Sequence, residues 1–80
     1  MKIPVIKKLV ETYTVEELGE AEQAIINEQP LEIQVEGSDE GEQLTHIIAA
    51  IWILDRIKND SFDFKTALRE YTQKVRESIN

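Results

Sequence analysis

The segment from Ile47 to Leu54 is a run of eight apolar residues, and it limits what this chain can fold into more than any other feature. Apolar positions continue at helical spacing on both sides of the run, at Leu44 and Ile57. The pattern predicts a helix that ends near Lys58. Since apolar side chains point almost all the way round this helix, it must be buried on more than one side. We therefore expect it to be the central helix of the fold.

The chain is short for a helix of this kind. With 80 residues it has room for one domain, residues 1–80, and it contains no cysteine, so no disulfide stabilises it. Three other short helices can hardly cover the central one completely. We therefore expect part of its surface to contact a second copy of the chain in a homodimer, with Ile48, Ile51 and Trp52 as interface candidates.

Three further helices follow from apolar spacing and capping signals. They are expected over residues 4–13, 15–28 and 63–79. Thr14 and Glu17 form a capping box before the second helix, and Ser38 and Asp39 are candidate N-caps for the central helix. The last helix has a strong amphipathic stripe, with apolar residues at Phe64, Leu68, Tyr71, Val75 and Ile79. The predicted fold is mainly α, with four short helices packed together and the apolar one at the centre.

Residues 31–35 alternate apolar and polar side chains, which is typical of a half-buried strand. A lone strand needs partners for its backbone groups. Within the chain only residues 2–6 look able to pair with it, and Pro4 weakens that option. Two uses stay open: pairing with its own copy across a twofold axis, which we prefer, or an unpaired extended loop packed on the helices. Under the first, Leu31, Ile33 and Val35 are also interface candidates.

Charge is distributed unevenly along the chain. The net charge is −7, and residues 1–42 carry three lysines and eleven acidic residues. An acidic surface repels phosphates and anionic headgroups, so we expect no nucleic-acid or membrane partner. Lysines interrupt the apolar residues at the N-terminus, and the longest apolar run is much shorter than the roughly 20 residues that span a bilayer, so we expect a cytoplasmic location. Lys65, Arg69 and Arg76 form a basic row on the last helix. This row can face the acidic half of the same chain, of a sister subunit or of a partner protein.

No motif for catalysis or nucleotide binding is present, so we predict no enzyme activity, no catalytic residue and no cofactor. The single histidine, His46, lies one turn after Glu42 and near Asp39. These three residues are weak candidates for a partial metal site, completed by Glu22 or across a dimer axis, and they support the alternative of a metal or ligand sensor. We expect instead a partly exposed imidazole paired with Glu42 and no bound metal.

Five short segments can be compared with known families: MKIPVIK at residues 1–7, GEQL at 41–44, RIK at 56–58, ALREY at 67–71 and VRESI at 75–79. Together they resemble a small uncharacterised bacterial family, a domain of unknown function of about this length. The resemblance implies a bacterial cytoplasmic protein and brings no activity, cofactor or catalytic residue. Taken together, the sequence predicts a small acidic homodimer with a non-enzymatic role in protein interaction or regulation, and it leaves room for a further protein partner.

Overall fold

The computed structural model describes residues 2–79 of the chain, with side chains up to residue 76. It contains four helices in the order α1 (Ile3–Thr12), α2 (Val15–Ile26), α3 (Glu40–Asp60) and α4 (Phe64–Ile79). The mainly α fold with four helices is confirmed. The side chain of Ile79, the last position of the predicted stripe, lies outside the described part.

Side-chain caps fix where three of the helices begin. Thr14 and Glu17 form the predicted capping box: the Thr14 hydroxyl accepts from the amide of Glu17 at 3.1 Å, and the Glu17 carboxylate accepts from the amide of Thr14 at 2.9 Å. Asp39 caps α3 by accepting from the Glu42 amide at 2.8 Å. Asp63 caps α4 in the same way through the Thr66 amide, also at 2.8 Å. These local signals explain why α2 and α4 begin within a residue of their predicted positions.

Helix α3 lies at the centre and contacts each of the other three helices. Its buried residues are joined in one core by side chains from α1, α2, α4 and the connecting segment 29–39. The members of this core are Val5, Ile6, Leu9, Leu18, Ala21, Ile25, Val35, Ile47, Ala49, Ala50, Ile53, Ala67 and Tyr71. The molecule is flat, with extents of 32 × 28 × 19 Å. A flat arrangement leaves part of the central helix uncovered.

The predicted strand at residues 31–35 is absent: this segment is irregular, with bends at Glu32 and Ile33. Its alternating burial is as expected, with Val35 buried and Gln34 exposed. Two side chains from outside the segment form hydrogen bonds with its backbone. The amide of Gln34 donates to the hydroxyl of Tyr13, which follows α1, at 3.3 Å. The side chain of Gln43 in α3 donates to the Val35 carbonyl at 2.9 Å. The segment therefore matches the second alternative from the sequence, an unpaired loop that packs on the helices.

Candidate interaction surface

The exposed side of α3 carries a continuous apolar stripe. Leu44, Ile48, Ile51 and Trp52 fall at helical spacing and form what we call the α3 stripe. Ile48 is 41 % exposed and the other three are half-buried. The structure thus brings together the three interface candidates predicted on this helix. Leu44 was not among them, although its position one turn before Ile48 places it on the same face.

Trp52 lies at the edge of the stripe, held between α3 and α4. Its ring centroid is 5.6 Å from that of Tyr71, and burial raises the pKa of the Tyr71 phenol. The Arg56 guanidinium lies 4.8 Å and the Lys74 ammonium 5.7 Å from the centroid of the indole. Arg56 is also paired with Asp60 at 2.7 Å, which raises the pKa of the guanidinium. The indole therefore contacts an aromatic ring of α4 and lies within cation–π distance of two positively charged side chains.

The other predicted interface residues lie elsewhere. Val35 is buried in the core of its own chain. Leu31 lines an open groove of about 400 Å³ together with Ile25 and Gln43. Ile33 lines a second groove, described below, and neither groove includes a residue of the α3 stripe. Leu31 and Ile33 of the segment 31–35 therefore line grooves that are separate from the α3 stripe.

His46 is fully buried, which corrects the expectation of a partly exposed imidazole paired with Glu42. Its Nε2 accepts a hydrogen bond from the backbone amide of Lys2 at 2.9 Å. Its Nδ1 lies 2.9 Å from the carbonyl oxygen of Glu36. An amide can only donate, so Nε2 carries no proton, and Nδ1 must donate to the carbonyl. The ring is neutral and ties the start of α1 and the segment before α3 to the middle of the fold.

Glu42 and Asp39, the other two metal candidates, act as caps. The Glu42 carboxylate accepts from the amide of Ser38 at 2.9 Å, and this hydrogen bond lowers its pKa. Asp39 accepts from the amide of Glu42. Across the described residues, no group of three or more His, Cys, Asp or Glu side chains is arranged to hold a metal ion. Both ring nitrogens of His46 are already bonded to backbone groups, so the geometry does not favour a metal centre there.

A groove of about 390 Å³ separates α2 from the segment that follows it, and we call it the α2 groove. Three glutamates line it, Glu17 and Glu20 on α2 and Glu32 on the following segment. Apolar side chains that include Ala21 and Ile33 also line it. The groove therefore combines acidic and apolar side chains in one lining.

Over the described residues, no helix has the length and apolar character needed to cross a membrane. A family model described as a family of unknown function (DUF6952) matches residues 1–80. No curated protein and no solved structure matches the chain.

Proposed function

The chain belongs to this family of unknown function, and we propose that it is a non-enzymatic homodimer with a role in protein interaction or regulation. The α3 stripe is the contact between the two copies. The observation that carries this proposal is that the longest helix of the fold leaves large apolar side chains uncovered, with Ile48 41 % exposed at the centre of the stripe. Apolar patches of this kind on small proteins mark interaction sites.

A second copy fits the α3 stripe because the stripe, with a charged residue beyond each of its ends, is complementary to itself. When two α3 helices pack antiparallel about a twofold axis through Ile48, residues equally distant from Ile48 face each other. Leu44 of one copy then lies opposite Trp52 of the other, and Glu40 lies opposite Arg56. The pairing places an aliphatic side chain on an indole and a carboxylate near a guanidinium at each end of the interface.

The size of the chain gives a second reason for a dimer. An 80-residue chain without disulfides has a small core, and burying the α3 stripe against a copy of itself extends that core. Trp52 is already half-buried and packed against Tyr71 of α4, so covering it costs less side-chain entropy than covering a fully exposed side chain. The dimer therefore uses surface that the monomer leaves exposed.

The partners and compartment that we propose follow from charge and composition. A net charge of −7 opposes binding to phosphate backbones and anionic headgroups, so neither nucleic acid nor a membrane is a proposed partner. A chain without cysteine is consistent with a reducing compartment, and we place the protein in the cytoplasm.

The absence of native cysteine makes a disulfide test simple to interpret. Under mild oxidation, Ile48→Cys should form a disulfide-linked dimer because the twofold axis brings the Cα atoms of position 48 in the two copies to within about 7 Å of each other. Gln23→Cys, at an exposed position on α2, is the matched control and should stay largely monomeric. Light scattering of the unmodified protein should give the dimer mass. A monomer at every concentration, or equal crosslinking of the two variants, would contradict the proposal.

A further inference from the structure

Three carboxylates and no cationic side chain line the α2 groove. In the described part of the chain, the carboxylates of Glu20 and Glu32 make no hydrogen bond and no ion pair. Glu17 uses one carboxylate oxygen for the capping box. Because apolar side chains line the groove as well, it suits an occupant that carries positive charge on apolar stems.

The chain itself carries side chains of this kind on α4, no residue of which lines the groove. Lys65, Arg69 and Arg76 are exposed along one side of α4, and we call them the α4 basic row. No ion pair joins any of these three cations to a carboxylate within the described residues. Of the partners that the sequence left open for this row, the described part of the acidic half of the same chain is not used. The exposed row can therefore contact another molecule.

We propose that the α2 groove of one molecule binds the α4 basic row of another. Lys65 and Arg69 are one helical turn apart, about 6 Å, and Glu17 and Glu20 have a similar spacing on α2. A lysine or arginine that enters the groove places its charge beside the carboxylates and lays its methylene stem against the apolar lining residues. The two surfaces match in charge and in the spacing of their charged residues.

This contact goes beyond the proposed dimer because it uses none of the residues of the α3 stripe. It joins two different surfaces, so it is heterologous and adds molecules head to tail rather than closing a pair. At physiological ionic strength, charges more than about 8 Å apart are screened, so the repulsion between two acidic molecules is weakened while the direct contacts remain. The association should therefore be weak, concentration-dependent and sensitive to high salt.

Charge reversal tests the contact, with the α3 contact removed by an Ile48→Asp background. In that background, sedimentation velocity measures the association constant. This constant should fall at least about tenfold with Lys65→Glu plus Arg69→Glu, and by a similar factor with Glu20→Lys plus Glu32→Lys. Mixing the two reversed proteins should restore association between them. Lys7→Glu plus Lys8→Glu, an equal charge change at exposed positions on α1, is the matched control and should lack this rescue with Glu20→Lys plus Glu32→Lys.

Any one of three outcomes would overturn the proposal. The first is that the Ile48→Asp protein does not associate up to millimolar concentration. The others are that the α1 control weakens association as much as the reversal on α4, or that mixing the two reversed proteins does not restore association. The variant with Lys65→Gln and Arg69→Gln removes charge without adding any, so it should also weaken association and guards against a reversed variant that fails to fold. Loss of the dimer in Ile48→Asp with salt-sensitive association retained would separate this contact from the α3 stripe.

Discussion

Helix α3 has two apolar sides that differ in what covers them. Ile47 is fully buried, while the next residue, Ile48, is 41 % exposed. Both are isoleucines in the same run, so hydrophobicity does not distinguish the two sides. The difference lies in whether another helix packs there, which shows that apolar residues on a central helix are not all used in folding. What folding leaves uncovered is available for association.

Side-chain size also differs between the two sides. The buried side includes Ala49 and Ala50, both fully buried, and small residues let neighbouring helices approach closely. The exposed side carries Ile48 and Trp52, which are large. The two alanines therefore lie beside Ile47 and Ile53 where helices of the same chain pack, whereas the stripe that we propose a second copy covers contains no alanine.

The largest expected effect separates the two neighbouring isoleucines. Ile47→Ala should lower the free energy of unfolding by about 2–5 kcal/mol because it removes buried methylenes and leaves a cavity. Ile48→Ala should cost less than about 1 kcal/mol in the monomer because its side chain is already in contact with water. Urea denaturation at low protein concentration measures both. Equal losses of unfolding free energy would show that the two sides of α3 contribute alike to folding, which would contradict the difference described above.

A smaller effect is expected at His46, where the buried side of α3 contacts backbone rather than apolar side chains. His46→Ala should cost about 1–3 kcal/mol because the Lys2 amide and the Glu36 carbonyl lose their partner. Thr45→Ala, at the exposed neighbouring position, is the control and should change stability by less than about 0.5 kcal/mol. Nitrogen NMR of the ring should show the Nδ1–H tautomer. An Nε2–H tautomer would contradict the hydrogen bonds described here.

Local patterns in the sequence were enough to predict the helices. The capping box of Thr14 and Glu17 and the apolar spacing of each segment involve residues at most a few positions apart, and the structure confirms the four helices that they indicate. The family of unknown function that the sequence resembled is likewise confirmed. Such features are readable because each depends on a short stretch of chain.

The partners of His46 depend on residues far away in sequence, and they were missed. The expected pairing with Glu42 used helical spacing, whereas the observed donor, Lys2, is 44 positions away. Nothing in the sequence marks a backbone amide as the partner of an imidazole. The lone histidine among apolar residues was the only available signal, because a buried ring must find hydrogen-bond partners.

The segment 31–35 shows a different limit of sequence reasoning. Its period of two correctly indicated which side chains turn inward, with Val35 buried and Gln34 exposed. It did not reveal what the backbone binds. Side chains of Tyr13 and Gln43 bond to backbone groups that a strand partner would otherwise bind. Alternation therefore predicted burial, and the strand itself was wrong.

The smallest expected effect lies at the exposed, polar start of α3, where Glu42→Gln tests how little a solvent-accessible charge contributes. The Ser38 amide lowers the pKa of the Glu42 carboxyl, so the ionised form stabilises the folded state above the unfolded-state pKa of about 4.3. This contribution is lost as the pH falls through the lower, folded-state pKa. Glutamine keeps an acceptor oxygen but does not titrate.

The melting temperature of Glu42→Gln should therefore lie slightly below that of the unmodified protein at pH 7, and the gap should close as the pH falls below about 4. A gap that stays constant with pH would mean that the Glu42 charge does not contribute, while a loss as large as that of Ile47→Ala would break the contrast between the buried and exposed parts of α3.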